Sequence, residues 1–213
     1  MILILDYGAG NLRSVQHAFD SFGVATRITS DASEIATAQK VLLPGVGAFG
    51  KGIEAVRHLR FDDALAEHVD KGRDLLGICL GMQLLFESST ELGEHTGLGF
   101  LKGHVVRFEN TGEKVPHVGW NSIARPAFEH PPLPGAGLSH SEILKGIADG
   151  THFYFVHSFY CEPSDEGDVI ARTSYAGKNF AAVARKNRIF GAQFHPEKSS
   201  SAGLQLLENF ARL

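Results

Sequence analysis

Two segments of the chain hold residues able to make and break an acyl bond. Gly77-Ile78-Cys79-Leu80-Gly81 reads G-x-C-x-G, between a short apolar run and a helical stretch over 82–87. This is the strand-turn-helix setting of a nucleophile elbow with sulfur replacing oxygen. At such a turn the nucleophile's backbone is strained, and small residues two positions to either side keep neighbouring strands clear of it. A helix beginning there also favours the thiolate. The bland alternative is a buried structural cysteine. Phe194-His195-Pro196-Glu197 supplies what the sulfur lacks. Pro196 pushes His195 toward an extended conformation, so that Glu197, two residues on, projects to the same side. The carboxylate then holds one imidazole nitrogen and leaves the other for the thiol. Cys79, His195 and Glu197 thus read as nucleophile, base and orienting group of acyl transfer. The reaction also needs two N–H donors for a developing oxyanion. Leu80 offers one. The loop Pro44-Gly45-Val46-Gly47 offers the other, through Val46 or Gly47, because neighbouring parallel strands deliver their C-terminal loops to one sheet edge.

These residues need elements to hold them. Ile2–Asp6, Val24–Thr29, Lys40–Leu43 and Leu75–Ile78 are short apolar runs separated by amphipathic stretches, the pattern of a parallel sheet covered by helices. Residues 11–22 carry an apolar face at three- and four-residue steps, stopped by Gly23. Beyond residue 100 the segments shorten: 104–108, 115–123, 152–160, 169–174, and the pair 180–185 and 188–194, which Lys186-Asn187 joins as a hairpin. A last helix presents Leu204, Leu207, Phe210 and Ala211, with serines 199–201 as its cap. Pro126–His140 reads as an exposed loop. The fold class is α/β, a mostly parallel central sheet flanked by helices, with additional antiparallel strands in the C-terminal half. One domain over residues 1–213 is expected.

Two glycine runs are decoys. Gly8-Ala9-Gly10 opens like a dinucleotide fingerprint, but Arg13 stands where a third small residue belongs. Gly45 to Gly52 has the spacing of a phosphate loop, yet position 52 lacks the hydroxyl that would hold Mg²⁺. Neither is read as a nucleotide site. Eleven histidines invite a metal search, but there is no H-E-x-x-H, and His152 and His157 fall on opposite strand faces. No metal and no organic cofactor are expected. The 213 residues carry a net charge of −4 with 43% hydrophobic and 21% charged residues, which argues against disorder and against nucleic-acid or anionic-membrane partners. The apolar opening is too short for a membrane span and lacks a basic n-region, and two cysteines make no disulfide framework, so a cytoplasmic protein is expected.

At this point the motifs resemble a family. Pro44-Gly-Val-Gly47, Gly77-Ile-Cys-Leu-Gly-Met-Gln83 and His195-Pro-Glu197, in that order, are similar to the class I (triad) glutamine amidotransferases, whose glutaminase domain has a flavodoxin-like fold. Asp6-Tyr-Gly-Ala-Gly-Asn11, Pro116-His-Val-Gly-Trp-Asn121, Tyr154-Phe-Val-His-Ser158 and Lys198 resemble the branch that serves histidine biosynthesis. The resemblance implies that Gly47, Gln83, Glu91 and the backbone at His157 and Ser158 line a glutamine pocket. On residue type alone, Gln83 and Glu91 would be ordinary helix-surface and helix-end residues. It also implies a heterodimer with a (β/α)8-barrel cyclase that combines ammonia with the nucleotide PRFAR, giving imidazole glycerol phosphate and AICAR. Trp120, with Asn11, Tyr154 and Lys198, would meet that partner; a buried core position is the other reading of Trp120. The family further implies a loop at 44–47 that withholds its oxyanion N–H until the partner is loaded, and weak glutaminase activity in the isolated chain. Two alternatives stand beside this reading. One is a glutaminase for another synthase, such as that making pyridoxal 5'-phosphate; the other is a peptidase-like hydrolase or silent binding module on the same fold.

Overall fold

A computed structural model describes residues 1–109, 111–126 and 142–213. The proline-rich stretch expected to form a loop lies mostly outside them. In chain order the elements are β1 (Ile2–Leu5), α1 (Leu12–Asp20), β2 (Thr26–Thr29), α2 (Ala32–Ile35), β3 (Lys40–Leu43), α3 (Phe49–His58), α4 (Phe61–Asp70), β4 (Asp74–Ile78) and α5 (Leu80–Leu84). There follow β5 (Ser88–Ser89), β6 (His95–Thr96), β7 (Gly103–Arg107), β8 (His117–Ser122), β9 (His152–His157), β10 (Phe159–Pro163), β11 (Val169–Tyr175), β12 (Lys178–Lys186), β13 (Ile189–Ala192) and α6 (Ser200–Arg212).

Seven strands form the central sheet in the order β11-β12-β13-β4-β3-β1-β2. The five from β13 to β2 are parallel, and β12 and β11 extend the sheet antiparallel. Strand periodicity splits the core in two. In β1, Ile2 and Ile4 join a cluster with Phe19 of α1 and Phe210 of α6, whereas Leu3 and Leu5 join one with Val56 of α3 and Leu65 of α4. Both faces are therefore covered, as a parallel sheet requires. Against the second cluster lies a four-stranded sheet, β10-β7-β5-β6, and β8 and β9 form a separate two-stranded ribbon. No helix among the described residues is long and apolar enough to cross a membrane.

Local chemistry sets most boundaries. Asn11 caps α1 by accepting from the Ser14 N–H, and Asp31 caps α2 by accepting from Ser33. Asn187 takes φ +55 in the β12–β13 turn, as the hairpin reading requires. Three expectations need correction. The run 152–160 is two strands, because Ser158 ends the pairing of β9 with β8 before β10 pairs with β7. The helix after Cys79 starts at Leu80 and ends at Leu84 rather than covering 82–87. Ser199 precedes α6 without capping it: its hydroxyl donates to the His195 carbonyl at 2.6 Å and accepts from the Tyr154 N–H at 2.9 Å. The helix buries Gly203, Leu206, Leu207 and Phe210, a stripe turned slightly from the expected one.

Candidate active site

The C-terminal ends of β3, β4 and β13 meet at one rim, which is where the three chemical segments arrive. Cys79 follows β4 with φ +53 and ψ −109, a strained conformation for a residue with a side chain. Its N–H is held by the Ala192 carbonyl at 2.7 Å, tying the elbow to β13. The flanking glycines are there for space. A Cβ on Gly81 would stand 1.8 Å from the Leu43 carbonyl oxygen, and one on Gly77 would stand 2.7 Å from backbone atoms of Gly81 and Met82.

β13 runs on to His195, whose Nδ1 lies 2.9 Å from Glu197 Oε1, both side chains buried. The Glu197 carboxylate accepts there, so Nε2 is the nitrogen left for the sulfur. That Nε2 is buried and has no formed hydrogen bond in this geometry. It nevertheless interacts with Cys79: burial alone would depress the imidazole pKa, but the sulfur and Glu197 outweigh it and raise the value to about 10. The imidazole is thereby favoured in its cationic form between the sulfur and the carboxylate.

In front of Cys79 is a cavity of about 310 Å³. Val46, Gly47 and Leu80 line it together with Gln83, Glu91, His157 and Ser158, so the sequence-predicted pocket residues share one space. Several of them have partners already. Gln83 Nε2 donates to the Phe159 carbonyl at 2.9 Å and to Gln193 Oε1 at 3.2 Å, which leaves its Oε1 to accept from a ligand. Glu91 Oε2 accepts the Phe49 N–H at 2.6 Å and so caps α3, which has no cap of its own. The Leu80 N–H, a predicted oxyanion donor, is engaged by the Gly45 carbonyl at 3.3 Å. The oxyanion position is closed in this conformation.

Residue patterns had not singled out two further groups. Gln193 is fully buried; its Oε1 accepts from Gln83 and lies 3.9 Å from the Cys161 sulfur, so its amide nitrogen is the end that faces Cys79 Sγ, also at 3.9 Å. The signal was available, since Gln193 lies two residues before His195 in the segment that continues β13. Glu197 sits instead in the tight turn Pro196–Lys198, so the extended alternation expected to align it with His195 does not hold. Burial, with the charge of Cys79 adding to it, pushes the Cys161 thiol up, so that it stays protonated and able to donate. His117 is the other group. His157 Nδ1 faces the Phe159 carbonyl at 2.8 Å and must carry its proton, so Nε2 accepts from His117 Nδ1 at 3.1 Å, and His117 Nε2 accepts from the Asn121 amide at 3.4 Å. This chain of bonds braces His157, which lines the cavity, with a second neutral ring.

Burial holds both rings neutral, pushing His117 down to about 4 and His157 to about 3, the latter helped by positive charge on His117 and His195. Below pH ~6.5 the unfolded chain takes up protons that the folded chain refuses, so stability falls with falling pH by about 1.4 kcal/mol per unit for each ring until those values are passed. His117→Phe, which keeps a ring between Phe155 and Tyr175, is expected to reduce proton uptake on unfolding by about one. Urea unfolding at pH values from 7 to 4.5 measures it; an unchanged pH slope would contradict the neutral pair.

The predicted contact residues also gather. Trp120 is 51% exposed, which excludes the core reading, and pairs across the ribbon with Tyr154, ring centroids 6.2 Å apart. The Tyr154 backbone bonds to His195 and Ser199 on either side of the turn that carries exposed Lys198. α1, capped by Asn11, packs on the same turn.

The chain is similar to known proteins along its whole length. The family model "Glutamine amidotransferase class-I" matches residues 3–213. The imidazole glycerol phosphate synthase subunit HisH of Chlorobium luteolum is 52% identical over 211 residues, covering 99% of each chain. That of Rhodopirellula baltica is 47% identical, covering 99% of this chain and 97% of its own. Among solved structures, PurLQS from Thermotoga maritima superposes with a TM-score of 0.74 at 17% identity, covering 99% of this chain and 97% of that one, and shares the fold. A match that begins at residue 3 and runs to the last, together with full-length relatives near half identity, settles the membership: this chain belongs to the class I glutamine amidotransferases.

Proposed function

We propose that this chain is the glutaminase subunit of an imidazole glycerol phosphate synthase, a single domain acting in the cytoplasm in histidine biosynthesis. The reading rests above all on Cys79, set on a strained elbow at the floor of a cavity and coupled to a histidine that a buried carboxylate orients. Cys79 sulfur attacks the side-chain carboxamide carbon of glutamine. Leu80 and the 46–47 backbone donate to the oxyanion once Gly45 O is withdrawn. His195 passes its Nε2 proton to the departing ammonia, leaving a γ-glutamyl thioester. The same nitrogen then takes a proton from water, hydroxide adds to the thioester, and glutamate leaves as the sulfur is released. Gln83 and Glu91, with the backbone at His157 and Ser158, hold the substrate's polar ends. No metal or organic cofactor takes part in these steps.

Ammonia passes to a separate (β/α)8-barrel cyclase subunit seated on Trp120, Tyr154, Asn11 and Lys198, where it combines with PRFAR to give imidazole glycerol phosphate and AICAR. Trp120→Ala is expected to weaken that complex by about 2 kcal/mol, roughly 30-fold in Kd, because a half-exposed indole is the kind of group an interface buries. Titration calorimetry with the cyclase reads it. The whole reading is tested by co-purifying the chain with the cyclase and measuring glutamate release with and without PRFAR. Release stimulated by the nucleotide is the expected result. A complex that frees no glutamate ends the proposal.

A further inference from the structure

Tyr7, the second residue after β1, is buried and takes no part in the triad or the glutamine cavity. Its hydroxyl donates to the Pro44 carbonyl at 2.6 Å. The same oxygen walls in the next residue: a Cβ on Gly45 would stand 2.1 Å from it, and 3.0 Å from Leu80 Cβ on the other side. Burial, with a smaller contribution from the charge of Cys79, pushes the phenol pKa up, so Tyr7 remains a donor.

The bond matters because of the peptide that follows. Pro44 O belongs to the plane immediately before the one carrying Gly45 O and the Val46 N–H. Gly45 O occupies the Leu80 N–H and closes the oxyanion position. With the first plane held, the second can turn as a unit about its two flanking Cα atoms. That turn would remove the carbonyl and bring the Val46 N–H toward the place it occupied. Little opposes the motion, since Val46 is 45% exposed and Gly47 already sits at φ +105.

We propose that Tyr7 is a positioning residue of the oxyanion site, its hydrogen bond to Pro44 fixing the pivot about which the Gly45–Val46 peptide turns between closed and open arrangements. This rests on the reading of Cys79 as the nucleophile that attacks glutamine. Without the pivot the loop no longer holds two distinct arrangements, so the closed state leaks and the open state is less well formed. Both effects lower the same ratio.

The test compares glutaminase rates of the isolated chain and of its complex with cyclase and PRFAR, for the parent and for Tyr7→Phe. The ratio of stimulated to isolated rate is expected to fall at least fivefold, with KM for glutamine and ammonium-dependent synthesis within twofold of the parent. A merely structural defect would lower both rates together and leave the ratio alone. Tyr7→Leu, which removes the same bond but keeps apolar bulk, is expected to give the same fall. Stimulation that survives in whichever variant folds overturns the role of Tyr7 and leaves the nucleophile untouched. A parent chain as fast alone as in the loaded complex overturns the closed site and this proposal with it.

Discussion

Cys79→Ala abolishes glutamine-dependent synthesis and leaves ammonium-dependent synthesis in the complex at the parent rate. In the proposed mechanism the Cys79 sulfur, which lines the cavity, forms the thioester and His195 and Glu197 act through it, so a loss of about four orders of magnitude or more is expected. The fold should tolerate the change. The strained backbone at position 79 is imposed by β4, the Ala192 carbonyl and the glycine neighbours, not by the thiol. Steady-state assays of the cyclase complex with glutamine and then with ammonium chloride separate the two activities. Loss of both would mean that the chemistry has been assigned to the wrong cysteine environment; retention of both would remove Cys79 from the mechanism.

Gly81→Ala is the second large effect, and it acts on stability before activity. The new Cβ would lie 1.8 Å from the carbonyl oxygen of Leu43, in a strand hydrogen-bonded on both sides, so neither β3 nor the elbow can yield cheaply. Overpacking of this severity costs about 3 kcal/mol or more. A contrasting variant is Gly72→Ala, at φ +67 with nothing near its added Cβ, which should cost only about 1 kcal/mol of backbone strain. Urea unfolding of the two proteins gives the comparison. Equal stabilities would show that the elbow is not packed against β3 as described.

The difference between those two glycines marks what could be read from residue order and what could not. Alternating and helical apolar patterns in the first ninety residues called for a parallel sheet with helices on both sides, because burying one stripe per element leaves few other arrangements. The elbow was legible for a related reason: nucleophile, glycines and strand are local, and their steric requirements lie within five residues. His195 and Glu197 were legible as a pair by their nearness in sequence, although the chain joins them through a tight turn over Pro196–Lys198 and not through the extended alternation expected. The break at Ser158 was not, since 152–160 is uniformly strand-like and only its pairing with two different partners divides it.

Contacts between distant segments carried the rest. Residue type alone made Glu91 a helix-end residue and only the family resemblance made it a pocket residue; in the fold it lines the cavity and caps α3 across 42 positions. Likewise Tyr7 reaches Pro44 over 37 positions, Gln193 reaches Cys79 over 114, and a carbonyl of the loop expected to supply an oxyanion donor instead occupies the donor at Leu80. Hydrogen bonds of this kind depend on angles and distances within fractions of an ångström, which periodicity does not encode. Composition and spacing determined which chemistry this chain carries and which sheet edge must hold it; tertiary packing alone decided whether the site stands open or closed, because that is a matter of which peptide group faces the sulfur.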